Sequence, residues 1–257
     1  MPFQEAAISA ALSGKPKTQN EAEILYALLG CYRLGRVHVT AAGVCTWTAD
    51  ANDSIPAGNN NYYLFASVVF PMGGTDLDLV ISGNKGGSGL VNGYVTIPGM
   101  AIYDDTYIVS GADNWNSISG VTCSDGTAND LIDIWAVPDI DQFTSIAYVR
   151  SWDIARGDHM IPVPDGYDPA ATHIRVRREP SVSFSKDYVN PDVLDTLRGR
   201  EVSIIIEVKP DGMSAVEEYI IFPKAAISND INAPDNAMVQ SVASGSARVI
   251  LVYSPSG

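Results

Sequence analysis

The 257-residue chain is 46% hydrophobic and 18% charged, enough apolar side chain to bury a core in one large or two ordinary domains, and not the composition of a disordered polypeptide. Sixteen basic and thirty acidic residues give a formal net charge of −14. That balance argues against a basic nucleic-acid-binding face, because counterion release needs clustered Lys and Arg, and only Arg175, Arg177 and Arg178 cluster.

Met1–Lys17 has no basic segment followed by an apolar one, and no apolar run approaches the roughly 20 residues of a membrane helix. Residues 1–35 are expected to form an N-terminal helical arm, with the helix over about 20–33. Glu21 and Glu23 would occupy its first turn, Leu25, Leu28, Leu29 and Tyr32 follow helical spacing, and Gly35 would end it. Cys31, Cys45 and Cys123 are too few, and odd in number, for a disulfide framework. They are expected to be reduced thiols in a cytoplasmic setting.

A first β-unit is expected over 36–153. It opens with a strand pair at Val37–Thr48, followed by a Gly/Asn-rich loop near Ala51–Asn60. Tyr62–Met72 has the aromatic and β-branched composition of a strand but the position of a helix in the second unit, and both readings stand. Leu77–Ser82 and Leu90–Ile97 read as the arms of a long hairpin, and Leu131–Pro138 as a closing strand.

Residues 154–173 carry Pro162, Pro164, Gly166 and Pro169 and read as a semi-rigid linker. The second β-unit, 174–257, is expected to begin with a strand pair at Ile174–Ser185. A helix over Pro191–Arg198 comes next, with Asn190 as cap, Val193, Leu194 and Leu197 on one face and Gly199 as its stop. A hairpin follows, Val202–Lys209 with Ala215–Phe222, and then a strand near Arg248–Tyr253.

The two halves are related. Sliding the chain by 125 residues aligns Asp76–Asp105 with Glu201–Asp230 without gaps, and eight of the 30 positions are identical, where random composition would supply about two. Ile81/Ile206, Gly87/Gly212, Tyr94/Tyr219, Pro98/Pro223 and Asp105/Asp230 are among them. The expected fold is therefore mainly β (α+β): two tandem β-sandwich or barrel units with long hairpins and short flanking helices.

The chemistry-bearing motifs are weak. His38, His159 and His173 are dispersed, and Asp50-Ala51-Asn52-Asp53 lacks the glycine and distal glutamate of a calcium loop. Gly83-Asn84-Lys85-Gly86-Gly87-Ser88-Gly89 resembles a phosphate-binding loop, but its lysine comes too early and a strand pattern, not a helix, follows. It aligns with Val208–Ser214, so both are read as hairpin tips. Arg156-Gly157-Asp158 is a chance-level tripeptide, Asp104 and Asp105 have no set separation, and Trp47, Trp115, Trp135 and Trp152 are read as core or interface residues. No catalytic, cofactor-binding or metal-binding residue is assigned, and the chain is not expected to be an enzyme.

Asp192-Val193-Leu194-Asp195-Thr196-Leu197-Arg198-Gly199-Arg200-Glu201-Val202, followed by a hairpin and a closing strand, resembles the tail-tube (major tail) protein of long-tailed bacteriophages, in its duplicated-domain variant. The resemblance covers the last third of the chain directly and the earlier half through the repeat. It implies self-association into trimeric, pseudo-sixfold rings stacked into a tube, contact with other tail proteins, passage of DNA without specific binding, no membrane, and a place in the virion tail after assembly in the host cytoplasm. The hairpin tips, Asn84, Lys85, Gly86 and Gly87 with Pro210, Asp211, Gly212 and Met213, are the candidate contacts between rings. Another virion part (head decoration, collar or connector) and a two-module carbohydrate-binding protein are the alternatives.

Overall fold

The computed structural model describes residues 22–28, 30–51, 54–56, 62–70, 72–86, 89–101, 105–111, 115–147, 149–155, 158–163, 172–178, 180–187, 193–209, 216–232, 240–246 and 249–254. The described chain is mainly β, built of antiparallel sheets. Its only described helical pieces are one short α-helix, α1 (Val193–Leu197), and a 3-10 turn at Ile140–Gln142. None of its described helices is long and apolar enough to cross a membrane.

Two compact units form, but they are not successive stretches matching 36–153 and 174–257. One comprises 29–144 with 251–255; the other comprises 145–250 with 1–28. Each therefore takes in a segment from a far end of the chain.

In the 29–144 unit, a five-stranded sheet has the order β3 (Val44–Ala49), β2 (Tyr32–Ala41), β9 (Leu131–Pro138), β4 (Tyr62–Val68), β7 (Thr106–Ile108). A three-stranded sheet has the order β6 (Gly89–Ile97), β5 (Leu77–Lys85), β8 (Trp115–Asp125). The two sheets share one apolar core, with Val37, Leu64, Ile132 and Ile134 from the first and Leu79, Ile81, Ile97 and Trp115 from the second. β5 alternates buried and half-buried residues from Leu77 to Gly83, as a strand with one face on a core must. Tyr62–Met72 is thus resolved in favour of composition, as the strand β4.

Trp115 is fully buried and rests on two glycines. A Cβ at Gly93 would lie 2.6 Å from Val109 Cγ1 and 2.9 Å from the indole, and one at Gly83 would meet the Ser117 carbonyl and the same indole. The indole Nε1 donates to the Gly111 carbonyl at 3.2 Å. Two missing side chains make the slot for the largest one.

The turn from β8 to β9 is set by Asp125, Gly126 and Asn129, all with positive φ. Buried Asp130 ties it down, accepting the backbone N–H of Thr127 at 2.7 Å and of Gly73 at 3.0 Å.

In the 145–250 unit, the sheet runs β1 (Ala22–Ala27), β15 (Glu201–Val208), β16 (Glu218–Asn232), β17 (Gln240–Ser246), β14 (Ser181–Asp187), β11 (Val149–Ala155), with the two-residue strand β10 (Thr144–Ser145) outside β1. The helix expected over 20–33 does not form in the described residues. Ala22–Ala27 is β1, paired with β15 from Ala22↔Val208 to Ala27↔Ser203, and Tyr32–Arg33 begin β2. The segment has good helix formers, but the edge of β15 offers it a full set of backbone partners, and tertiary pairing outweighs a propensity of tenths of a kcal/mol per residue. Residues 1–21 of the expected arm lie outside the described residues.

The expected linker is also different. β12 (Asp158–Val163) pairs with β13 (Thr172–Arg178); Asp158↔Arg178 and His159↔Arg177 keep the register of Ala155↔Ser181, and a register shift follows before Met160. Part of 154–173 is therefore strand, Asp158–Val163 and Thr172–His173, and the rest of it other than Ile154–Ala155 lies outside the described residues. Ile174–Ser185 is not a strand pair but falls on two successive strands, β13 and β14, whereas Val37–Thr48 is the expected pair, β2 with β3.

Both repeat hairpins form. The first pairs Leu77 with Ile97; the second pairs Ile204, not Val202, with Phe222, two residues from the position the 125-residue offset implies. The difference is constant from Ile204↔Phe222 to Val208↔Glu218, and a further register shift lies between Val202 and Ile204. α1 ends at Gly199 with φ +72°, as expected. The strand at 251–253, β18, belongs to the other unit.

Gly93→Ala should destabilise the protein by roughly 1–3 kcal/mol through overpacking against Trp115 and Val109. The check is urea unfolding followed by tryptophan fluorescence, with a lower midpoint at unchanged slope as the expected outcome.

Candidate functional site

The first predicted tip is a tight hairpin end. Lys85 pairs with Gly89, whose φ of +69° needs no Cβ, so three residues make the turn. The following residues are β6, a strand, so no helix N-terminus is present to receive a phosphate. Asn84 is exposed and its Nδ2 donates to Ser117 Oγ at 3.3 Å. The Lys85 ammonium lies 5.4 Å from the Trp115 ring centroid, and Gly86 follows in the turn. Gly87 lies outside the described residues, as do Pro210, Asp211, Gly212 and Met213 of the second tip. Leu90 and Tyr94 beside the first tip are 70% and 56% exposed on the outer face of β6.

At the base of the second hairpin, Lys209 Nζ sits 3.1 Å from both Glu23 Oε2 and Glu207 Oε2. The Ser145 hydroxyl and then the Lys209 ammonium hold the Glu23 carboxyl below its ordinary range, and the same pairing raises Lys209. The cluster fastens β1 to the end of β15.

A shallow cleft of about 400 Å³ is lined by Arg33, Arg36, His38, Thr46, Thr48 and Asp50, among others. Sequence reasoning did not find it, because its members are distributed over β2, β3 and β9. Arg36 makes a bidentate pair with Asp133, at 2.7 and 2.9 Å, and Arg33 Nη2 lies 2.7 Å from Asp50. Donating these hydrogen bonds to the Asp133 carboxylate raises the Arg36 guanidinium further above its ordinary value. Two cations answered by two carboxylates leave no net positive field for an anion.

A broader surface is legible in the register of β11, β14, β17 and β16. Its three rows are Ala155–Ser181–Ser246–Ala226, Asp153–Ser183–Ser244–Ser228 and Ser151–Ser185–Val242–Asp230. Seven serines, two alanines, a valine and two aspartates occupy these positions, with no Lys or Arg. Those of its side chains that are described are exposed or half-buried, and Ser151 with Ser185, and Ser228 with Ser244, hydrogen-bond at 2.6 Å. The alternate positions, Trp152, Ile154, Val182, Phe184 and Ile227, are buried. Short residues thus fill these twelve register positions, and the only charged ones among them are Asp153 and Asp230.

Beyond this sheet, β12 and β13 form a two-stranded ribbon in which each pairs only with the other among the described residues. It carries Arg175, Arg177 and Arg178, the one basic cluster of the sequence.

The tryptophans Trp115, Trp135 and Trp152 are buried and Trp47 packs against the core, so none forms an exposed platform. Asp50 is committed to Arg33, while Asn52, Asp53 and Asp104 lie outside the described residues. His38 is in the cleft; His159 and His173 are on opposite strands of the ribbon. Among the described residues no three His, Cys, Asp or Glu converge as a metal site would require. Comparisons of the chain with protein-family models, with curated proteins and with solved structures give no match.

Because the Glu23 carboxyl is lowered in the folded state, its pairing contributes stability above its ordinary value of 4.5 and loses it as pH falls through the folded value. Glu23→Gln should lower stability at about pH 7 to 9, where the wild-type pairing with Lys209 is fully present, and should flatten the acid limb between about pH 3 and 5, where the difference from wild type disappears. Thermal melts across that range provide the check.

Asp133→Ala should cost about 3 kcal/mol, because it leaves the Arg36 fork and part of Arg33 without their buried anion. Denaturant midpoints of the variant and of the Arg36→Ala, Asp133→Ala double variant measure the coupling.

Proposed function

We propose that the chain is a structural subunit that self-assembles into stacked rings, forming a bacteriophage tail tube through which the genome passes. The observation that carries the reading is the β12–β13 ribbon. Among the described residues the ribbon has no further strand on either edge; such a two-stranded ribbon is marginal in water, and its edges offer backbone donors and acceptors to a neighbouring chain. Arg175, Arg177 and Arg178 on it match the acidity of a second copy with net charge −14.

The short-residue face of β11, β14, β17 and β16 supports the conduit part of the reading. Short hydroxyl side chains with only Asp153 and Asp230 as charges offer a polyanion neither counterions nor deep contacts, so DNA would slide past rather than adhere. Two units per chain fit a trimeric ring with six-unit symmetry. The hairpin tips, Asn84–Gly87 and Pro210–Met213, are the proposed contacts between successive rings. The burial of the tryptophans takes support from the carbohydrate-binding alternative.

Negative-stain microscopy of the purified protein should reveal rings or tubes. Particles that remain monomeric at high concentration, and that bind oligosaccharide, would contradict the reading. Deleting residues 85–88 should leave soluble protein that no longer elongates; tubes of normal length from this variant would remove the tips from the interface.

A further inference from the structure

Cys45 on β3 and Cys123 on β8 are 78 positions apart in sequence but meet in the fold. Gly43 N–H donates to the Asp125 carbonyl at 2.8 Å. Two residues along β3 and two back along β8 bring Cys45 opposite Cys123, and their thiols are joined by a side-chain hydrogen bond. β3 is the last strand of the five-stranded sheet and β8 the last of the three-stranded sheet. Both cysteines are half-buried thiols packed against the common core, whereas Cys31 is fully buried. Although β3 and β8 belong to different sheets, the side-chain hydrogen bond already brings the two sulfurs together, as formation of a disulfide requires.

We infer that Cys45 and Cys123 are a redox-responsive dithiol that closes to a disulfide in an oxidising medium and staples the two sheets of the 29–144 unit along their shared seam. This inference stands independently of the tail-tube reading. The oxidant is a small disulfide of the glutathione class. The Cys45 thiolate attacks one of its sulfurs, forming a mixed disulfide and releasing one thiol. Cys123 then gives up its proton to solvent and attacks the Cys45 sulfur, and the second thiol leaves. Two protein thiols are oxidised and one small disulfide is reduced to two thiols. Burial and the hydrogen bond to Cys45 push the Cys123 thiol up to about 12, which assigns the first attack to Cys45.

The bridge would close a loop over residues 46–122, a length at which a cross-link strongly restricts the unfolded chain. Closure therefore raises thermal stability.

The test is incubation of the full-length protein with oxidised glutathione at pH 8, followed by intact mass, a non-reducing peptide map and thermal melts. The expected product has lost two hydrogens, contains a Cys45–Cys123 linked peptide, retains one thiol at Cys31, and melts on the order of 5 °C higher; dithiothreitol reverses all of this. Cys123→Ser should stop at a glutathione adduct on Cys45, whereas Cys45→Ser should leave Cys123 largely unmodified. Separate glutathione adducts on both cysteines of the wild-type chain would overturn the inference. So would a link formed between chains, or two thiols that stay unmodified in the folded protein and react once it is denatured.

Discussion

The fold of the 145–250 unit depends on one constraint, the pairing of β15 on both of its edges. From Val202 to Val208 every residue of that strand is buried, on both faces. Its backbone N–H and C=O groups cannot turn to water, and each left unpaired would cost on the order of a hydrogen bond's desolvation, about 1–3 kcal/mol. β16 satisfies one edge and β1 the other, through six residues brought from the start of the chain. Lys209, between Glu23 and Glu207, fastens the end of that pairing. The strand character of Ala22–Ala27 and the interleaving of the two units in sequence both follow from this requirement.

The same physics explains the outer elements. Where the sheet reaches β17, β14 and β11, one face packs Trp152, Ile154, Val182 and Phe184 inward and leaves serine, alanine and aspartate outward. β12 and β13 then follow, with no further strand on either edge among the described residues. An isolated protein usually protects such edges, and on the proposed reading a neighbouring copy supplies the protection.

Much of the β architecture was legible because alternation is a local signal. Leu77, Leu79 and Ile81 on one face of β5, the glycine-bearing turn after Lys85, and the strand Leu131–Pro138 could all be read from residue spacing. Gly199 likewise marks the end of α1. Ala22–Ala27 could not be read this way. Leu25 with the following Leu28, Leu29 and Tyr32 satisfies helical spacing, and the partner that makes Ala22–Ala27 a strand lies some 180 residues away. Pro162 and Pro164 suggested a linker, yet Pro162 tolerates a ribbon strand because such a strand has an edge without ladder bonds. The Arg33, Arg36, Asp50 and Asp133 cluster and the Cys45–Cys123 contact come from pairs of strands distant in sequence, and no single window contains them. The repeat was visible as identities, but the two-residue register difference between its hairpins was not.

The most direct test of the account is hydrogen–deuterium exchange of the ribbon in assembled and monomeric protein. The account predicts that backbone amides of 158–163 and 172–178 exchange rapidly in the monomer and are protected by orders of magnitude in the assembled fraction, while those of β15 are protected in both. Equal protection of the ribbon in the two states would contradict the claim that a neighbouring copy completes it.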